Sequence, residues 1–229
     1  MIILSGRNLL VPVLCLWAFG LAAQDKRPME VTDIMKFQQV RAPSISQDGK
    51  WVALTAQPDR GDPRVLVYSS DGKVKYELAG GRDPVISGDG KWVAAIKAVP
   101  AKELLLSEKG KEKEQVSKTG MVLLHTASGE QQTYENVKSF TFSNNSSWLV
   151  FQQNGKKKED KKNGELETGT TLILMELEEG ETDTLSFVST YALDSISQHL
   201  AYVVSDSVAS GNGIYTISLS GRFKAPVAL

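Results

Sequence analysis

The sequence predicts an all-β fold, namely a partial β-propeller of about four four-stranded antiparallel blades with WD-type repeats. The segment "SQDGKW" at residues 46–51 returns as "SGDGKW" at residues 87–92, and two weaker copies follow. The aromatic residue that ends each copy recurs at spacings of 41, 56 and 51 residues: Trp51, Trp92, Trp148 and His199. Repeats of about 40 to 50 residues built from short β elements are typical of propeller blades.

The N-terminal segment, residues 1–23, has the pattern of a cleaved signal peptide. Arg7 supplies the positive charge, and an apolar run over residues 9–23 follows it. The run is short for a membrane span, which needs roughly 20 apolar residues. We therefore expect export, to the periplasm or out of the cell. An uncleaved N-terminal anchor is the alternative, whereas lipid attachment at Cys15 is disfavoured because the preceding Leu14 is bulky.

The composition excludes several classes of function. The chain has 26 Lys and Arg residues against 27 Asp and Glu residues, so no net positive charge favours nucleic acid. Its only cysteine, Cys15, lies in the segment expected to be removed. The mature chain then has no thiol for a disulfide or a metal site. We predict no cofactor-binding and no metal-binding residues.

The elements after the signal segment follow in a regular order. Residues 24–40 are predicted to be a lead that contains a short helix over 29–40, capped by Thr32. Four blades then follow, at about residues 41–81, 82–137, 138–188 and 189–229.

Each blade is predicted to begin with a hairpin. Asp48-Gly49 and Asp89-Gly90 predict tight two-residue turns in which both residues take positive φ. The strands that follow, "WVALTA" and "WVAAIK", are apolar on both faces. This pattern is typical of strands enclosed between two layers. We expect the leading Trp of each to pack against the next blade.

Two charged segments separate the second and third strands of their blades, at residues 101–118 and 154–169. Each mixes Lys with acidic residues and is nearly neutral, so a nucleic-acid patch is disfavoured. We interpret them as solvated, mobile hairpin extensions. A contact with another domain or subunit is the alternative.

The sequence offers few groups for catalysis. It contains no G-x-S-x-G turn to present a nucleophilic serine, no P-loop and no dinucleotide fingerprint. The two histidines fall at repeat positions within predicted strands: His199 stands in the Trp position, and His125 aligns with Tyr68. The pair Glu178-Glu179 is a conceivable amine-binding site but lies in a predicted hairpin turn. We therefore predict no catalytic residue in this chain.

The segment "MEVTDIMKFQQVRAPSISQDGKWVALTAQPDRGDPRVLVYSSDG" resembles the start of secreted bacterial serine peptidases of the prolyl oligopeptidase family, of the dipeptidyl-aminopeptidase or acylaminoacyl-peptidase type. The resemblance extends over residues 29–221. It implies a seven- or eight-bladed propeller followed by an α/β-hydrolase domain. This chain shows four blades and no hydrolase domain, so no catalytic residue is carried over.

The resemblance implies that the chain is the N-terminal fragment of an exported peptidase. Its propeller would gate peptide substrates toward the α/β-hydrolase domain, which would be its partner within the same polypeptide. Neither nucleic acid nor, after signal cleavage, a membrane is an expected partner. Two alternatives stay open: a non-catalytic periplasmic propeller that binds proteins, similar to Tol-system proteins, and a small β protein made of these four repeats alone.

Overall fold

The computed structural model describes residues 28–30, 33, 37–108, 119–155, 168–207, 211–219 and 227–228. These residues form fifteen β-strands and one α-helix, which confirms the predicted all-β class. No helix within the described residues is long and apolar enough to span a membrane.

The first sheet is a four-stranded antiparallel meander, which is the blade unit of a propeller. Its strands are β1 (Gln38–Ile45), β2 (Trp51–Pro58), β3 (Arg64–Ser69) and β4 (Lys75–Ala79). Each strand pairs with the next one in the chain, so β1 lies at one edge and β4 at the other.

The second sheet repeats this order and adds a helix between its middle strands. Its elements are β5 (Gly81–Ile86), β6 (Trp92–Lys97), α1 (Ala101–Glu108), β7 (Gly120–His125) and β8 (Gln131–Tyr134). The helix occupies the start of the first charged segment. This segment lies between the two middle strands of the blade, as predicted, and its first eight residues are helical, which the sequence pattern did not indicate.

The third sheet has seven strands and contains two blades. In chain order these are β9 (Val137–Phe142), β10 (Trp148–Gln153), β11 (Thr170–Glu176), β12 (Thr182–Leu193), β13 (His199–Val204), β14 (Gly213–Ser218) and β15 (Val227–Ala228). The first half of β12 pairs with β11 and its second half pairs with β13. One strand therefore serves as the last strand of the third blade and the first strand of the fourth.

Three apolar clusters fill the three junctions between consecutive blades. The first joins β2, β3 and β4 to β6 and β7, the second joins the second blade to the third, and the third joins the third blade to the fourth. Val93 and Ala95 belong to the first cluster, whereas Ala94 between them belongs to the second. Both faces of β6 are therefore buried, as the uninterrupted apolar sequence predicted.

The repeated aromatic residues lie at equivalent places. Trp51, Trp92 and Trp148 each open the second strand of a blade, which confirms their predicted register. Each contacts the cluster shared with the following blade, and Trp148 is 5% exposed there. The Trp series is thus part of the packing between blades. His199 opens the corresponding strand of the fourth blade.

The structure corrects the predicted lead. Gln38 to Val40 belong to strand β1, so the helix predicted over residues 29–40 does not extend through them. Before this strand, Asp33 is helical, and its backbone amide donates a hydrogen bond to the carbonyl of Glu30. Thr32, the predicted cap, lies outside the described residues.

The first strands of the first two blades share a bulge. The pairing of β1 shifts between Arg41 and Ser44, and that of β5 shifts between Arg82 and Val85. A proline follows the positive-φ residue of each bulge, and proline is tolerated there because a bulge leaves an amide unpaired. The backbone amide of Asp83 in the second bulge donates to Thr55 Oγ1 of the first blade at 3.0 Å.

Candidate functional site

The turn that ends each first strand is built by side chains. Ser46 Oγ donates to Asp48 Oδ1 at 2.6 Å and accepts from the amide of Trp51 at 2.9 Å. Asp48 Oδ1 also accepts from the amide of Lys50 at 3.0 Å. Only Gly49 has positive φ in this turn, so the predicted two-residue turn with two positive-φ residues is wrong. The backbone bond from Gly49 N to Ser46 O instead closes a four-residue turn.

The same network recurs in the other blades. In the second blade, Ser87 Oγ donates to Asp89 Oδ1 at 2.6 Å and accepts from Trp92 N at 3.0 Å. Ser143 and Asn145 take these roles in the third blade. The repetition of "SxDGKW" thus reflects a repeated hydrogen-bonded turn as well as a repeated Trp.

Two carboxylates of these turns, Asp48 and Asp194, are stabilised in their charged form. The pKa of Asp48 is lowered from 3.8 to about 2, chiefly by the hydrogen bond from Ser46 and then by those from Lys50. The pKa of Asp194 in the fourth blade is also lowered, chiefly by the backbone amide of His199. Hydrogen bonds to the ionised form are the cause in both cases.

Neighbouring turns are joined to one another. The amide of Asp89 donates to Ser146 Oγ of the third blade at 3.1 Å. Asn144 then donates to the fourth blade twice, from its amide to Ser197 Oγ at 2.7 Å and from its Nδ2 to the carbonyl of Ser195 at 3.0 Å. These bonds hold the turns of three blades side by side at one end of their first strands.

A groove of about 400 Å³ opens between the turns of the first, second and third blades. It is lined by the ends of the edge strands β1 and β5, by the end of β9 and by the turns that follow them. Ile45 and Val85 are 66% and 44% exposed at this groove, and Phe140 and Phe142 are half-buried in its wall. Gln47, Ser87 and Asn144 contribute polar groups. An apolar concavity with a few polar groups at its edge is the usual form of a binding site.

The two histidines hold structural positions rather than a place in this groove. The ring of His125 lies 4.7 Å from that of Trp92, and its Nδ1 is 2.9 Å from Ser128 Oγ. His125 pairs with Trp92 as Ser69 pairs with Trp51, so its counterpart in the first blade is Ser69 and not Tyr68. The His125 ring thus packs against Trp92 and contributes to the turn that follows β7.

His199 lies at the surface of the fourth blade. Its side chain is 55% exposed, and its Nδ1 is 3.7 Å from Asp194 Oδ2. The serine hydroxyl of that turn, Ser197 Oγ, accepts a hydrogen bond from Asn144 N instead of contacting the imidazole. The arrangement therefore lacks the nucleophile-to-base contact of a catalytic triad.

The remaining sequence candidates are turn residues. Glu178 and Glu179 lie in the turn between β11 and β12, as predicted, and Glu178 forms an ion pair with Lys91 at 3.1 Å. This pair raises the pKa of Lys91. Within the described residues, no group of three or more acidic, His or Cys side chains is placed to hold a metal ion.

The sequence matches no protein-family model and no curated protein. Solved structures are similar to it. The β-propeller domain of the Trilobed protease from Pyrococcus furiosus has a TM-score of 0.50 and 13% identity, over 82% of this chain and 57% of that one. An acylaminoacyl peptidase has a TM-score of 0.51 and 12% identity, over 86% of this chain and 33% of that one.

A structure described as the eukaryotic initiation factor is equally similar, with a TM-score of 0.51 and 13% identity over 89% of this chain and 46% of that one. The chain thus spans between about a third and somewhat more than half of these three chains. These likenesses show the fold: the chain is a portion of a β-propeller. The resemblance drawn from the sequence is confirmed at that level.

Proposed function

We propose that this chain is the N-terminal part of an exported serine peptidase of the prolyl oligopeptidase type. It supplies part of the propeller that gates peptide access to a catalytic α/β-hydrolase domain. The proposal is supported by the likeness to the propellers of two peptidases and by the resemblance of the lead segment. Residues 1–23 direct export and are removed.

The observation that carries the proposal is the incomplete set of blade junctions. Each of the three junctions is filled by apolar side chains from both blades. The opposite face of the first blade carries Val52, Leu54 and Leu66, which belong to none of these clusters. On the outer face of the fourth blade, Ile214 is 51% exposed. Among the described residues no cluster joins the first blade to the fourth, so both faces suit further blades.

The chemistry of the described residues supports a gating role. The groove at the blade ends is lined by apolar, hydroxyl and amide side chains. The one contact between a histidine and a serine hydroxyl among the described residues, His125 with Ser128, lies in a turn outside this groove. Such a surface selects and orients a peptide, while bond cleavage belongs to another domain. The propeller therefore determines which substrates enter.

The test compares two lengths of the gene product. One is this chain with its own N-terminal segment, and the other extends to the natural end of the reading frame. We expect the long form to hydrolyse aminoacyl or dipeptidyl anilides and to lose this activity with a serine-directed phosphonate. The short form should be inactive and self-associate on a sizing column. A long form without phosphonate-sensitive hydrolysis would refute the peptidase.

Export is tested separately by the mass of the protein recovered outside the cytoplasm. Cleavage after Ala23 should leave Gln24 as the first residue. Recovery of the uncleaved chain in the membrane fraction would support the N-terminal anchor instead.

A non-catalytic propeller that binds proteins is the second candidate. It is favoured by the equal similarity of this chain to a structure that is not described as a peptidase. The reading frame distinguishes the two, because a binding propeller would end after further blades with no G-x-S-x-G segment.

A further inference from the structure

We propose that the edge formed by the first strands of these blades binds extended peptides that pair an apolar side chain with a carboxylate two residues away. The inference rests on the proposed gating function, since it names the class of peptide that the gate prefers. It is carried by the groove and by a set of cationic side chains on the strands that form it.

The apolar part of the site is the groove already described. Val85 lies in edge strand β5, two residues before the turn, and Ile45 lies in edge strand β1. Their exposed fractions, 44% and 66%, are high for branched aliphatic side chains. A side chain of a bound peptide that enters between them and the phenylalanine wall of β9 would remove this surface from water.

The cationic part lies further along the same strands. Arg41 faces Thr55 in the pairing of β1 with β2, and Arg82 faces Ile96 in the pairing of β5 with β6. Thr55 and Ile96 are each the fifth residue of their strands, so the two arginines occupy the same place in consecutive blades. Lys138 lies in the bulge of β9. All three cations are exposed.

The charge at this level is not balanced by the side chains that contact it. Arg41 is oriented by a neutral partner, because its Nε and Nη2 donate to Gln39 Oε1 at 3.2 and 2.6 Å. Arg82 is 3.4 Å from the carboxylate of Asp83. Among the residues that the structure describes, these three cationic groups have one paired anion, the carboxylate of Asp83, which leaves an excess of positive charge complementary to a peptide carboxylate.

The spacing of the two parts sets the spacing in the ligand. Arg82 and Val85 lie on either side of the bulge in β5, and their partners Ile96 and Ala94 are two residues apart in β6. Since a strand advances about 3.3 Å per residue, the cation lies on the order of 7 Å from the groove. An extended peptide covers this length with two residues, whose side chains lie on the same face, so one side chain enters the groove while the carboxylate reaches the arginines.

The test measures binding of fluorescein-labelled, C-terminally amidated peptides to the full chain by anisotropy. The probes carry Leu and, two positions later, Asp or Lys, together with the reversed order and a version with Gly for Leu. A neutral Leu peptide with a free C-terminus distinguishes a terminal carboxylate from an acidic side chain as the ligand. In the sequence order that binds more tightly, the peptide with Leu and Asp should bind about tenfold tighter than the peptide with Leu and Lys.

Variants assign this preference to the proposed residues. Arg41→Gln and Arg82→Gln should each reduce the preference for Asp about two- to fivefold, and the double variant should abolish it. Asp83→Asn removes the one paired anion and should strengthen binding of the acidic peptide. Lys73→Gln, at an exposed lysine in the turn between β3 and β4, is the matched control and should have no effect.

Two further measurements separate the parts of the site. Val85→Asn should weaken the Asp and Lys peptides to the same degree, because it alters only the groove. Raising the ionic strength from about 0.1 M to about 1 M shortens the screening length from about 10 Å to about 3 Å and should remove the preference for Asp. Circular dichroism of each variant confirms an unchanged fold.

Equal affinity for the Asp and Lys peptides would overturn the inference, as would a preference that survives in the double arginine variant. Tighter binding of the neutral peptide with a free C-terminus would support the cationic site and identify the terminal carboxylate as its ligand. Since binding is measured without a hydrolase domain, a reading frame lacking that domain would refute the peptidase while leaving this result in place.

Discussion

The hydrogen-bonded turn at Ser87 permits a quantitative test of how burial affects the free energy that a repeated turn contributes to folding. Ser87 is 1% exposed, and its hydroxyl donates to Asp89 and accepts from the amide of Trp92. Ser69, in the turn between β3 and β4, makes the same pair of bonds, at 2.6 Å to Asp71 Oδ1 and 2.9 Å from the amide of Val74. Ser69 is only half-buried.

The two Ser→Ala substitutions should therefore differ in cost. At Ser87 the amide of Trp92 loses an acceptor that is only 1% exposed, and leaving a buried amide unsatisfied costs about 1–3 kcal/mol. At Ser69 water replaces the lost partner, so the cost stays at about 0.5–1 kcal/mol. The hydrogen-bond lengths are nearly equal in the two turns, so burial alone produces the difference.

Urea unfolding followed by tryptophan fluorescence measures both costs. With an m-value of about 2–3 kcal/mol/M, a loss of about 2 kcal/mol for Ser87→Ala lowers the midpoint by roughly 0.7–1 M. Ser69→Ala should lower it by less than about half as much. Equal midpoint shifts in the two variants, with unchanged slopes, would refute the argument that burial sets the value of this motif.

Three other outcomes are expected. Trp148→Ala should lower the free energy of unfolding by about 3–5 kcal/mol, because this 5% exposed ring fills a blade junction; a loss below about 1 kcal/mol in urea titration would contradict this. Gly129→Ala should cost more than Gly72→Ala. Both glycines have positive φ, but only at Gly129 would an added Cβ lie 2.7 Å from a ring atom of a tyrosine. Equal melting temperatures for the two variants would refute this expectation. The carboxyl of Asp48 should titrate near pH 2 by NMR, and Ser46→Ala should raise this pKa toward 3.8. Because the pKa of Asp48 is lower in the folded than in the unfolded chain, its stabilising effect is present above about pH 4 and is lost as the pH falls through about 2. If Ser46→Ala left this pKa unchanged, the hydrogen bond from Ser46 would not be the cause of the shift.

The parts of the fold that the sequence predicted depend on local patterns. The register of Trp51, Trp92 and Trp148 follows from identical hairpins, and the burial of β6 follows from its uninterrupted apolar run. The turn type was predicted wrongly because the rule for Asp-Gly considers the backbone alone. In the structure the hydroxyl of Ser46 and the carboxylate of Asp48 satisfy the turn amides, so one positive-φ residue is sufficient.

Contacts between residues that are distant in the sequence could not be predicted from these local patterns. The amide of Ala101 at the start of α1 donates to Asp62 Oδ1 of the first blade at 2.7 Å, a contact that no local pattern signals. The groove is likewise formed by residues between 45 and 144, from three separate strands. Arg41 and Arg82 occupy equivalent positions in the sequence repeat. Their location on the edge strands of two sheets follows only from the strand order.

The sharing of β12 makes the four blades mechanically unequal. The third and fourth blades are hydrogen-bonded to one continuous strand, so they cannot rotate apart without breaking its ladder. Between the first two blades the chain instead passes through Gly80 alone, and between the second and third through Glu135 and Asn136. Separation of neighbouring blades should then occur at these two links, with the third and fourth blades moving as one rigid body. Amide exchange should show a common opening free energy for β11 and β13 and a separate one for β2, and independent opening of β11 and β13 would contradict this division.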